Sequence, residues 1–173
     1  MDQSVKESII KECLRIEEDT EHSFKSHYNA SAKWSKINLW LGLPAAILAA
    51  AAGGTSAADG PQIIITIVAF LSTIFISCLT FLKPSERSDS HKAAGHSYHA
   101  LRNKTRMFRE IELNSITDDA GILKVIRALS ERRDELNSTM PSIPRKAYEK
   151  AKKDIDTGRA KYMTDKESRN DCK

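Results

Sequence analysis

Several common signatures are missing from this 173-residue chain. It has three cysteines, Cys13, Cys78 and Cys172, an odd count with no pair at metal-ligand spacing. Such usage gives neither a disulfide framework nor a zinc site, and free thiols suit a reducing compartment. The net charge is only +4, too small an excess for bulk charge to point to a nucleic-acid partner. No nucleophile elbow, HExxH, Walker A loop, GxGxxG or CxxC occurs. No enzyme is expected from such a sequence, and no cofactor or metal with it. Proline and glycine are absent from residues 1–41, which leaves that stretch free to form one long helix.

What is present is an uneven distribution of apolar residues. Residues 63–82 (IIITIVAFLSTIFISCLTFL) form 20 consecutive positions without a charge. As a helix that run is about 30 Å long, the thickness of a bilayer's hydrocarbon core. A second uncharged stretch, residues 39–52 (LWLGLPAAILAAAA), precedes it and is weaker because it is Ala-rich and holds Gly42 and Pro44. Between them Gly53-Gly54-Thr55-Ser56-Ala57-Ala58-Asp59-Gly60-Pro61 reads as a turn. The fold class expected is therefore an all-α membrane protein: a two-transmembrane helical hairpin whose helices extend into a cytoplasmic helical bundle.

Orientation follows from the basic residues. Lys25, Lys33 and Lys36 approach the first span, and Lys83, Arg87 and Lys92 follow the second, whereas the turn carries no Lys or Arg. The positive-inside bias places both termini in the cytoplasm. Ala50-Ala51-Ala52 before Gly53 also resembles a signal-peptide cleavage site, but the acid-rich 36 residues ahead of it are far too long for an n-region. The expected divisions are an N-terminal cytoplasmic helix (1–36), the first span with the start of the turn (37–58), and the end of the turn with the second span (59–82). A cytoplasmic helical region (83–156) and a mobile polar tail (157–173) complete them.

Helical spacing marks the faces. Val5, Ile9, Cys13, Ile16, Thr20 and Phe24 form a narrow apolar stripe on the N-terminal rod, and Trp34 and Trp40 sit where the rod enters the membrane. His91, Ala94, Tyr98, Leu101, Thr105 and Phe108 alternate by three and four, the a/d pattern of a helix that packs on a partner helix. That partner is either the N-terminal rod or the equivalent helix of another subunit. Residues 117–138 predict a further helix, with Thr117 as N-cap and Ile122, Val125, Ile126, Leu129 and Leu136 buried. Residues 144–156 predict a last helix with Pro144 at its front.

Within the spans, Asn38, Gly42, Ala46, Ala49 and Gly53 form a small-residue stripe suited to close helix packing. On the second span Gln62, Thr66, Ala69, Thr73, Ser77 and Thr80 share one face. Packing of the hairpin alone accounts for both stripes. A functional reading turns Gln62, Thr66, Thr73, Ser77 and Thr80 toward a lumen, which requires a homo-oligomer because one hairpin cannot enclose a pore. Two weaker constellations read as structural. His91 lies on the a/d seam while His96 and His99 lie off it, without the i,i+4 pair of helical zinc sites. Arg102, Lys104, Arg106 and Arg109 read as a solvated helix face and not as a phosphate site.

A set of short segments in a fixed order then adds a resemblance. It comprises Phe81-Leu82-Lys83-Pro84-Ser85-Glu86-Arg87, His91-Lys92-Ala93-Ala94-Gly95-His96-Ser97-Tyr98-His99-Ala100-Leu101-Arg102, and Arg132-Arg133-Asp134-Glu135-Leu136-Asn137. Met140-Pro141-Ser142-Ile143-Pro144 and Tyr148-Glu149-Lys150-Ala151 follow. Together with the paired spans, over roughly residues 5–156, the chain resembles the SLATT family, the SMODS- and SLOG-associating two-transmembrane effector domains. The resemblance implies a pore-forming effector of bacterial nucleotide-activated anti-phage or conflict systems. Such an effector permeabilises the inner membrane as a homo-oligomer. Its implied partners are the lipid bilayer, copies of itself, and a nucleotide-sensing or cyclic-oligonucleotide-producing protein. The 91–108 helix would then couple cytoplasmic signals to the spans. The alternative is a non-conducting membrane anchor that scaffolds a cytoplasmic partner.

Overall fold

A computed structural model describes residues 3–58, 60–116 and 118–158. Among these residues there is no strand. The helices are α1 (Gln3–Ala57), α2 (Gln62–Leu82), α3 (Pro84–Met107), α4 (Leu113–Ser115), α5 (Asp119–Thr139) and α6 (Arg145–Asp156), with a π-helical turn at Phe108–Glu112 between α3 and α4. Two compact units share them: Ser31–Ser90, and Met1–Ala30 together with His91–Lys173. α1 and α3 contribute to both.

The Ser31–Ser90 unit is a helical hairpin. α1 passes Pro44 without a break. Its lysine-free stretch and α2 are both long and apolar enough to cross a membrane. At the turn Gly60 donates its backbone N–H to the Thr55 carbonyl at 2.9 Å, and any Cβ there would lie 2.4 Å from Thr55 Cγ2. The close approach requires glycine. The seam between the helices is written in their burial. Ala45 and Ser72 are buried, and Leu41, Leu48, Ala52, Ile65, Val68, Phe75 and Leu79 are half-buried at the same three-four spacing. Ser72 Oγ donates to the Ala45 carbonyl at 2.9 Å, fixing the register of the pair. Where the hairpin's helices approach α3, Ser31 and Ser88 are buried together: Ser88 Oγ donates to the Ser31 carbonyl at 3.0 Å. Arg87 stacks over the Trp34 ring at 4.8 Å. α2 ends at Lys83, whose left-handed φ of 46° turns the chain before Pro84 starts α3, the first-turn position that needs no N–H.

The second unit is a bundle of the first part of α1, the C-terminal part of α3, α5 and α6. Its core is Ile9, Cys13 and Ile16 from α1, Tyr98, Leu101 and Phe108 from the α3 side, Leu113, and Ile122, Leu129 and Leu136 from α5. Each fully buried Ile, Leu or Phe side chain contributes about 1.5–3 kcal/mol. Phe108 and Leu113 are five residues apart yet both buried. The π turn explains it, because its five-residue repeat, closed by the Leu113 N–H on the Phe108 carbonyl, returns Leu113 to the core side. The cap of α5 is Asp118, whose carboxylate accepts from the N–H groups of Ala120 and Gly121 at 3.1 and 3.0 Å. Thr117, expected as that cap, lies outside the described residues, as do Asp59, Cys172 and the polar tail from residue 159 on.

Candidate functional site

In the hairpin, the residues expected on the small and hydroxyl stripes fall beside the seam and not on most of it. Asn38 and Gly42 are half-buried, and a Cβ on Gly42 would touch Leu79 at 3.9 Å. Ala46, Ala49 and Gly53 are exposed, each one residue beyond a seam position, Ala45, Leu48 and Ala52. Packing within the chain therefore uses the neighbouring face. On α2 the offset repeats: Gln62, Thr66, Ala69, Thr73, Ser77 and Thr80 are all exposed, and Thr66, Ala69, Thr73 and Thr80 each follow a seam residue by one. Both helices are right-handed and they run antiparallel, so a one-residue step from each seam turns to the same side of the hairpin. One side thus carries Ala46, Ala49 and Gly53 next to Thr66, Thr73, Ser77 and Thr80. Away from this row the α2 surface is apolar and open, with Ile67 53% and Leu71 42% exposed, as expected of a side that meets lipid.

The hydroxyls on this side are internally satisfied. Thr66, Thr73, Ser77 and Thr80 donate to the carbonyls of Gln62, Ala69, Thr73 and Ile76 at 2.8–3.0 Å. Back-bonding to i−4 leaves each oxygen free to accept a further bond, and lowers the cost of facing lipid as well. The Gln62 side chain at the turn end adds an amide to the row.

In the bundle unit all six residues expected at the helix interface are buried: His91, Ala94, Tyr98, Leu101, Thr105 and Phe108. The element they face is the N-terminal part of α1 in the same chain. His27 Nδ1 lies 2.9 Å from His91 Nδ1, so the pair holds one proton between two ring nitrogens. His27 also stacks on Tyr98 at 5.4 Å, and the Tyr98 hydroxyl donates to Asn137 Oδ1 at 2.9 Å. Burial, and then the neighbouring His91, push His27 down to about 4; burial lowers His91 too. Burial raises the Tyr98 hydroxyl, and it raises the Cys13 thiol to about 11, which keeps that cysteine protonated and unreactive. The other two histidines are elsewhere: His96 meets the Tyr28 hydroxyl at 3.1 Å, and His99 lies against Phe24 at 4.9 Å between ring centres. Among the described residues no three of His, Cys, Asp and Glu gather as a metal site would need.

Within the basic run Lys104 is exposed as expected, but Arg102 and Arg109 depart from a solvated face. Arg109 grips Glu17 through Nε at 2.7 Å and a second nitrogen at 3.3 Å, and Arg102 reaches Glu21 at 3.2 Å. Both pairs are largely shielded, with the Glu17 and Arg102 side chains each 11% exposed. The hydrogen bond that Arg109 donates to Glu17, more than the carboxylate's charge, raises the Arg109 pKa further. The sequence signal was present: Glu17 and Glu21 flank Ile16 and Thr20, as Arg102 and Arg109 flank Leu101 and Phe108. Opposite charges beside an a/d seam are the usual interhelical pairs. His27 likewise continues the stripe past Phe24 by one step of three.

Comparison with known proteins gives one family. The fungal SLATT family, described as "SMODS and SLOG-associating 2TM effector domain", matches residues 18–154. No curated protein and no solved structure gives a match. The matched region takes in α1 from residue 18 on, α2, α3, α5 and nearly all of α6. The location that follows is a membrane, without the bacterial inner membrane expected from the sequence.

Proposed function

Because the chain belongs to the SLATT family of two-transmembrane effector domains, we propose that it is a membrane effector that forms a gated passage as a homo-oligomer. Copies of the hairpin gather with the Ala46/Ala49/Gly53 and Thr66/Thr73/Ser77/Thr80 side turned inward. The observation that carries this reading is the placement of both rows on one side of the hairpin, beside the seam and open. Small residues permit close approach between copies, and back-bonded hydroxyls still offer acceptor lone pairs to water or ions. With no charge in the row, such a passage discriminates weakly between small ions. The lysine-free hairpin, flanked by Lys33, Lys36, Lys83 and Arg87, sets both termini on the cytoplasmic side. A signal reaching the bundle passes through α1 and α3, the helices common to both units; the family description names SMODS and SLOG association, and the source in this reading is a nucleotide-sensing or cyclic-oligonucleotide-producing partner.

A non-conducting scaffold is the second reading, and the internal bonding of the hydroxyls favours it, since satisfied Thr and Ser sit in lipid at little cost. Replacing Thr73 or Ser77 by Leu separates the two. In cells induced to express the full chain, dye uptake and depolarisation by the wild type should fall at least tenfold in both variants, with chemical cross-linking still trapping oligomers. Unchanged leak in both variants removes the passage from this side of the hairpin.

A further inference from the structure

The hairpin carries one more built feature, on the outer side of α1. Leu39, Trp40, Leu43, Pro44, Ile47 and Leu48 line an open apolar groove of about 450 Å³. Its side chains stand out from the chain, Trp40 76% and Ile47 58% exposed. From Leu39 to Leu48 the helix rises about 14 Å, close to half of a hydrocarbon core about 30 Å thick. The groove is therefore one leaflet deep.

Above it on the same face stand two cations. Lys36 precedes Trp40 by four residues and Lys33 precedes it by seven, the helical steps that stack side chains on one side. Both lysines are exposed. The unit's other cations are engaged, Arg87 on the Trp34 ring and Lys83 with Glu86 at 3.2 Å. Neither Lys33 nor Lys36 has an acidic side chain within ion-pair distance among the described residues. Reading outward from the membrane centre, the face runs from an apolar trough to an amphipathic ring to a pair of ammonium groups. An anionic phospholipid has the same order of parts: acyl chain, ester region, charged headgroup.

We propose that this face binds an anionic phospholipid, its acyl chain in the Leu39–Leu48 groove and its headgroup on Lys33 and Lys36. The inference rests on the membrane placement of α1. A basic pair at a leaflet surface attracts acidic lipid, and the groove gives the bound lipid a fixed position beside Trp40. A lipid held on the outer side leaves the opposite, small-residue side free for other copies.

Trp40 reports the site directly. In a Trp34→Phe full chain reconstituted in vesicles, phosphatidylserine with mid-chain bromines should quench Trp40 with about tenfold higher relative affinity than brominated phosphatidylcholine at equal mole fraction. Lys33→Gln with Lys36→Gln should make the two lipids equal. Equal quenching in the Trp34→Phe chain overturns the proposal, as does a preference that survives the double replacement. Co-flotation with vesicles, scored on the same samples, reads membrane placement alone. A chain that floats but is quenched by neither lipid has its groove covered by protein, which overturns the lipid site. One that does not float overturns the membrane reading beneath it.

Discussion

Between His27 and His91 a single proton serves two buried ring nitrogens 2.9 Å apart. A second proton would set two donors face to face and place a positive charge in a buried site. Because His27 titrates at about 4 in the folded chain against its ordinary 6.5, the unfolded chain binds a proton that the folded one refuses between those values. Stability is therefore intact above about pH 6.5 and declines as pH falls toward 4, by at most about 1.4 kcal/mol per pH unit for one linked proton. Thermal melts at pH 7.0, 5.5 and 4.5 should show this slope, and His27→Gln should flatten its part of it. Gly95 is the other residue with a sharp expectation. A Cβ there would stand 2.7 Å from the Tyr28 ring, so Gly95→Ala forces the ring aside and should destabilise the bundle by about 1–3 kcal/mol in chemical unfolding. The sequence places His27 and His91 each on a helical stripe but pairs neither, and it gives Gly95 no reason. The a/d pattern put His91 on a seam, but a histidine's partner is a matter of which helix it faces, and periodicity names no partner. Gly95 lay inside a recognised segment, yet only the approach of Tyr28 gives it a reason.

Helices were read more surely than their ends or their charges. Both spans came from length and composition, and the stripes at Ile9, Cys13 and Ile16 and at Ile122, Leu129 and Leu136 are buried, because burial of one face is what periodicity encodes. The π turn escaped: Phe108 closes the regular alternation, and the five-residue step to Leu113 has no place in a three-four pattern. The ion pairs escaped for a different reason. Arg102 and Arg109 resemble a solvated face until Glu17 and Glu21 are placed opposite them. At the start of α5, Asp118 holds two backbone N–H groups, and Asp118→Ala should cost about 1 kcal/mol of bundle stability by equilibrium unfolding. Asp118→Asn should retain most of it, since the amide oxygen still accepts.

At the scale of the whole molecule the chain divides its labour. One unit is a hairpin that exposes apolar side chains no soluble fold would leave open; the other is a bundle held by a mixed apolar and polar core. The family to which the chain belongs unites two spans with effector function. Both stripes were visible in the sequence, but their common side was not, since it depends on where the α1–α2 seam lies. The seam at Ala45 and Ser72 turns two separate helical patterns into one candidate inner surface. The central claim is that this surface faces water inside an oligomer. Its most direct test is thiol accessibility in membranes, using the full chain with Cys13, Cys78 and Cys172 replaced by Ser and one new cysteine at a time. Thr73→Cys and Ser77→Cys should react with a water-soluble, membrane-impermeant thiol reagent, while Ile67→Cys and Leu71→Cys on the opposite, apolar side should not. If Thr73→Cys and Ser77→Cys prove as unreactive as Ile67→Cys and Leu71→Cys, the hydroxyl row faces lipid or protein and the account of a passage is contradicted.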